Sequence, residues 1–183
     1  RDMSNIDLST TLLGKKIPMP LALSPTGFGR ISDSQGELAV ARAAARRGLP
    51  YTLSTLGTRS IEEVAVVSDG PKWFQVYVWK DRELMRDVLA SAKEAGFSSV
   101  ALTTDLTWFG NRERDVRNSF SVPPKHSLRT TLAALAAPRG TFEYLISQRI
   151  EYALIRDLKR DGLLRDALPI AEFATKQFDA AFD

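Results

Sequence analysis

The chain has 183 residues, 44% hydrophobic and 26% charged, with a formal net charge of +3, the balance of a soluble globular protein with apolar material for one sizeable core. It has no cysteine and a single histidine, His126, which excludes disulfide scaffolds, thiolate metal sites, cysteine nucleophiles and a histidine metal cluster. Charges of both signs are interspersed, which argues against nucleic-acid binding, and with neither an apolar span of about 18 residues nor a secretory signal the expected setting is the cytoplasm or the cytoplasmic face of a membrane.

Met19 to Pro25 is a short apolar run closed by a turn signal, as expected of a strand covered on both faces. After a Gly-containing loop, Ser34-Gln35-Gly36-Glu37 has the spacing of a capping box, and Leu38 to Arg47 is an alanine-rich helix with Gly48 placed to stop it. Tyr51 to Thr55 makes a second strand, and Ser60-Ile61-Glu62-Glu63 repeats the capping box before a brief helix. Trp73 to Val78 reads as a third strand. Leu84, Val88, Leu89, Ala92 and Ala95 then space an apolar stripe along a helix ended by Gly96, and Ser99 to Asp105 supplies a fourth strand. Strand and helix alternating four times, with strands too apolar for one wet face, predict a parallel sheet with right-handed crossovers.

From Gly110 the rhythm breaks. Residues 110 to 130 are basic, contain Pro123-Pro124 and are expected to be loop, while the remainder carries helical patterns such as Phe142 to Leu158 without another strand. The expected fold class is α/β: a single incomplete barrel domain, the first half of a (β/α)8 barrel over 1–109, followed by a loop and helical excursion over 110–183. A small helical domain after a four-stranded sheet is the alternative. The opening on Arg1 and the absence of a closing element after Gln177 to Asp183 add to the expectation of a fragment. Such a half would expose apolar surface and two strand edges, and so require the complementary half of the barrel.

In a parallel barrel the site lies at the carboxyl ends of the strands. The residues there are Pro25, Thr26 and Gly27 after the first strand, Ser54 in the second, Gln75 and Tyr77 in the third, and Thr103 and Asp105 in the fourth. Polar groups thus interrupt apolar strands at the same end four times over. Gly27 suits either close backbone approach to a planar ring or an ordinary turn. Gln75 offers a donor and an acceptor that burial obliges to find partners, which can include a heterocycle's edge. Tyr77 shares its face and serves either core packing or a ligand pocket. Beyond the fourth strand, Arg112 is placed to reach a carboxylate bidentately, whereas Arg114 and Arg117 read as a solvated face and His126 as a surface residue.

Pro25-Thr26-Gly27, Gly36-Glu37-Leu38-Ala39, Thr52-Leu53-Ser54-Thr55, Ser60 to Ala65, Trp73-Phe74-Gln75-Val76-Tyr77 and Arg112 to Asn118 together closely resemble the FMN-dependent α-hydroxy-acid dehydrogenases and oxidases. That group includes L-lactate dehydrogenase, glycolate oxidase and mandelate dehydrogenase. The likeness is specific over residues 1–125 and looser beyond. It implies that Pro25, Thr26 and Gly27 lie against the isoalloxazine ring of FMN and that Ser54, Gln75 and Thr103 hydrogen-bond it. It also implies that Tyr77 and Arg112 contact the 2-hydroxy-acid substrate, and that Asp105 pairs with the family's catalytic histidine. That histidine, the flavin-contacting lysine, a second substrate arginine and the phosphate site match no position here, and Leu56 stands where some members carry a bulky aromatic. A homo-oligomer, a tetramer in the family, and peripheral membrane contact are further implications. An FMN barrel of different chemistry, such as an isomerase, is disfavoured by the run Arg112 to Asn118, and a catalytically inactive half-barrel that binds a partner or self-associates remains the reading from another class.

Overall fold

The computed structural model describes residues 6–104, 113–118, 131–132, 135–138, 140–142 and 150–162. Two compact units emerge, one of residues 1–104 with 150–183 and the other of residues 105–149.

The first unit opens with an antiparallel hairpin of β1 (Thr10–Leu12) and β2 (Lys15–Ile17). Its two-residue turn has positive φ at both Leu13 (48°) and Gly14 (76°), the mirror-image turn whose twist matches that of paired strands. The first expected strand survives as a single parallel bridge between Leu23 and Tyr51, made by Leu23 N–H donating to the Pro50 carbonyl (2.8 Å) and Thr52 N–H to the Leu23 carbonyl (3.1 Å). A four-residue helical turn, α1 (Gly29–Ser32), follows, and then α2 (Glu37–Arg46).

β3 (Tyr51–Ser54), α3 (Ile61–Val67), β4 (Lys72–Val76), α4 (Arg82–Glu94) and β5 (Ser99–Leu102) complete the repeat. The three strands form one parallel sheet in the order β3-β4-β5, so with Leu23 beside β3 spatial order follows chain order. Register partners in parallel strands share a face. Tyr51, Leu53, Phe74 and Val76 lie on one face, and all four join a buried cluster with Ala41 and Ala44 of α2, Ile61 and Val64 of α3, and Leu84, Met85, Val88 and Ala92 of α4. The helices therefore cover that face, as expected when successive right-handed crossovers step the same way.

Local signals explain the helix ends. After both α2 and α4 a glycine with positive φ (Gly48, 64°; Gly96, 82°) takes the first position beyond the cap. Gly48 and Leu49 N–H groups donate to the Ala45 and Ala44 carbonyls, and Gly96 and Phe97 to those of Lys93 and Ala92, all at 3.0 Å, which satisfies carbonyls the helix leaves open. Asp81 caps α4 by accepting from Leu84 N–H. The Ser60–Glu63 capping box forms in full. Ser60→Ala is therefore expected to cost about 1 kcal/mol, read as a lowered urea midpoint with an unchanged slope.

The equally spaced Ser34–Glu37 pair does not form a box. The residue before α2 is Gly36, with no side-chain cap, because the Glu37 carboxylate is taken by donors from two other segments. A second correction concerns Phe142 to Leu158, which is not one helix: residues 150–152 are non-helical, and α6 (Ala153–Arg160) begins after them. Ile155 and Leu158 of α6 enter the same core as the sheet, and Ala153 N–H donates to the Gly57 carbonyl (3.0 Å). A third correction is that the expected loop over residues 110 to 130 contains a helix in the second unit, α5 (Glu113–Arg117), which carries an exposed Arg117–Glu113 ion pair at 3.0 Å, in keeping with a solvated face for Arg117; Arg114 is exposed as well.

Candidate functional site

Ser54, Gln75 and Thr103 come together. Ser54 is the register partner of Gln75, and Thr103 continues β5 two residues beyond Ala101, the partner of Gln75 on the other side; Thr103 N–H donates to the Val76 carbonyl (2.9 Å). Side chains alternate along a strand, so the three point to the face away from the helical cluster. Ser54 Oγ donates to Gln75 Oε1 at 2.6 Å, and Gln75 Nε2 donates to Thr103 Oγ1. The result is a line of polar groups across three neighbouring strand ends.

Gln75 is only 7% exposed. An amide side chain has two N–H groups and two carbonyl lone pairs, and among the described residues this one uses one of each, leaving a donor and an acceptor side by side. Thr55 steadies the strand beneath. Its N–H (3.0 Å) and hydroxyl (2.5 Å) both donate to the Gln75 main-chain carbonyl, and the hydroxyl accepts from Tyr77 N–H at 3.3 Å.

Pro25, Thr26 and Gly27 form a loop that meets Leu56, two residues after Ser54. Phe28 N–H donates to the Leu56 carbonyl (3.1 Å), and a Cβ on Gly27 would lie 3.2 Å from Leu56 Cβ. Close approach to Leu56 thus accounts for glycine there. Thr26 is exposed, and no hydrogen bond joins it to Ser54, Gln75 or Thr103 among the described residues. Tyr77 is half-buried. Asp105, Arg112 and His126 lie outside the described residues.

Two features were not anticipated from sequence. Tyr152, just before α6, packs its ring on Phe28 (centroids 4.7 Å apart), and burial, with Tyr77 nearby, pushes its phenol up to about 12. The other is a charged cluster around Glu37 and Glu63. Glu37 is buried and accepts from Gly29 N–H (3.0 Å), Thr58 N–H (2.8 Å) and Thr58 Oγ1 (2.7 Å). Burial alone would raise the Glu63 carboxyl, but the Ser60 N–H and the Arg59 and Arg156 guanidiniums outweigh it and hold it below its ordinary value. Burial and Arg59 lower the neighbouring Arg30, opposed by Glu37 and Glu63. The only signal in sequence was an acidic residue opening a helix after a glycine-containing loop, a pattern that suggests the helix's own positive end, whereas the carboxylate is taken by Gly29 and Thr58.

The family described as FMN-dependent dehydrogenase matches residues 1–183. Over 143 residues the chain is 46% identical to the L-lactate dehydrogenase of Xanthomonas campestris pv. campestris, covering 78% of this chain and 37% of that protein. It is 44% identical over 128 residues to the glycolate oxidase of Spinacia oleracea, covering 70% of this chain and 35% of that one. Its structure matches that of (S)-mandelate dehydrogenase, described as a monotopic membrane protein, with TM-score 0.87 and 33% identity over 100% of this chain and 48% of the other. The chain thus spans a little over a third of the length of the curated relatives it matches. On these grounds the chain is a member of the FMN-dependent dehydrogenase family.

Proposed function

We propose that the chain supplies the flavin platform of a complete (β/α)8 barrel that oxidises an L-2-hydroxy acid, of the lactate, glycolate or mandelate kind, to the 2-oxo acid. The observation that carries this reading is the hydrogen-bonded line Ser54–Gln75–Thr103 across adjacent parallel strand ends. Chain-order strands with helices on one face support a half-barrel, since continuing that pattern closes the sheet on itself.

The donor set fits FMN. The unused N–H and lone pair of Gln75, beside the Ser54 and Thr103 hydroxyls, suit the alternating carbonyl and N–H groups along the pyrimidine edge of a flavin. When bound, FMN accepts the hydride equivalent from the substrate. The residues of this chain would orient that ring, with Pro25, Thr26 and Gly27 against it, while Tyr77 and Arg112 would bind the substrate and its carboxylate. Asp105 would stabilise the imidazolium formed on a histidine of the complementary half as it takes the substrate's proton. Residues 1–183 alone would then be inactive. We place the complete protein in the cytoplasm as a homo-oligomer, with peripheral contact on the membrane's cytoplasmic face; no helix among the described residues is long and apolar enough to cross a membrane.

The complete protein is expected to be yellow and to bleach anaerobically with L-lactate, glycolate or (S)-mandelate. A colourless protein that no added FMN restores would overturn the reading. A second reading, an inactive half-barrel that self-associates, is favoured by one observation: Val100 and Leu102 on β5 are 56% and 55% exposed. Sizing chromatography of the 183-residue chain separates the cases, because a well-behaved monomer contradicts self-association.

A further inference from the structure

We infer that Glu37 is a positioning residue that sets the height of the Pro25-to-Gly29 loop over the strand ends, and through it the fit of the flavin ring. The inference rests on the flavin reading above.

Glu37 is the first residue of α2 and only 1% exposed, yet its carboxylate faces neither solvent nor its own helix end. Its Oε1 accepts from two backbone N–H groups in two different segments, Gly29 at the start of α1 (3.0 Å) and Thr58 in the loop after β3 (2.8 Å). Its Oε2 accepts from Thr58 Oγ1 (2.7 Å), and that oxygen accepts in turn from Arg30 N–H (3.2 Å). One acceptor-only group therefore gathers the donors of both segments. An ionised carboxylate is the side chain with capacity for this, and charge-assisted bonds of the kind are the stronger ones.

The arrangement is also steric. A Cβ on Gly29 would stand 2.9 Å from both Glu37 Cδ and Oε1, so the carboxylate occupies the space a side chain at 29 would need. Immediately upstream, Phe28 N–H is tied to the Leu56 carbonyl (3.1 Å), and Leu56 N–H is tied to Ser54 Oγ (3.1 Å). Glu37 is thus linked through hydrogen bonds, buried at Thr58 and part-buried at Gly29, to the loop proposed to lie against the ring and to the loop that follows the Ser54–Gln75–Thr103 line. The sheet itself does not need Glu37: strand pairing and the apolar cluster involve other residues.

The test compares the complete wild-type protein with Glu37→Ala, Glu37→Gln and Gly29→Ala. Its readouts are the Kd for FMN from quenching of flavin fluorescence on titration into apoprotein, the visible absorption of bound flavin, and melting of the apoprotein. Glu37→Gln keeps a carbonyl for both backbone N–H groups but turns an NH2 that cannot accept toward the Thr58 hydroxyl, and is expected to raise Kd by less than Glu37→Ala, about threefold. Glu37→Ala, which orphans both N–H groups, and Gly29→Ala, which wedges the loop away with the carboxylate intact, are each expected to raise Kd about tenfold or more and to shift the visible bands. Wild-type Kd and spectrum in Glu37→Ala, whatever its melting temperature, would overturn the positioning role; if that variant does not fold, the same result in Gly29→Ala overturns it. A wild-type protein that takes up no FMN would instead overturn the flavin reading, and the inference with it.

Discussion

Replacing Gln75 with alanine in the complete protein is expected to weaken FMN binding about a hundredfold. The truncation removes the free N–H and lone pair that Gln75 presents beside the Ser54 and Thr103 hydroxyls. Two hydrogen bonds at about 1.5 kcal/mol each amount to roughly 3 kcal/mol, and every 1.4 kcal/mol is tenfold in Kd. The same change takes a partner from Ser54 and from Thr103, so the apoprotein is expected to lose stability by about 1–3 kcal/mol as well. Fluorescence titration separates the two effects when performed well below the melting temperature. A Gln75→Ala protein that binds FMN within threefold of its parent would remove the line from the cofactor site.

Phe74→Ala is expected to have the largest effect on stability. Phe74 sits in the middle strand, buried, with Leu53 and Val100 as its register partners and Phe97 edge-on at 6.1 Å and 83°. Removing a buried phenylalanine costs about 3–5 kcal/mol from lost transfer energy and the cavity left behind, of which the ring pair contributes about 1 kcal/mol. Native domains have only about 5–15 kcal/mol in all. The urea midpoint should fall accordingly, and a loss below about 1 kcal/mol would mean that this face is not the core. Phe74→Leu, which fills most of the volume, should lose much less.

The strands that emerge with a full ladder are those with no proline inside them. Tyr51–Ser54, Lys72–Val76 and Ser99–Leu102 carry their own pairing signal. The run Met19 to Pro25 shrinks to one bridge at Leu23 because prolines at 20 and 25 cannot donate to a ladder. The hairpin at Thr10–Ile17 was hidden by its turn: Leu13 adopts a positive φ where Asn or Gly would have been the recognisable residue. Ser34-x-x-Glu37 and Ser60-x-x-Glu63 are indistinguishable by spacing, yet only the second is a box, because Glu37 meets tertiary donors at Gly29 and Thr58 that no local pattern announces.

The site divides along the same line. Ser54, Gln75 and Thr103 could be brought together on paper because strand periodicity and parallel register fix their face once the strands are identified. Thr26 lies in a loop, where no period operates, and its exposed position could not be read. Asp105 and Arg112 lie outside the described residues. Tyr152 was invisible because it reaches Phe28 across more than a hundred positions of sequence.

Pairing strictly in chain order has a consequence for biosynthesis. Leu23 meets Tyr51, β3 meets β4 and β4 meets β5, so among the described residues each pairing of this sheet joins a strand to the one translated just before it. A ribosome delivers the amino end first, and each strand that leaves the exit tunnel finds its template already laid down. The sheet can thus accrete one unit at a time during synthesis, with the short sequence separations that favour rapid assembly.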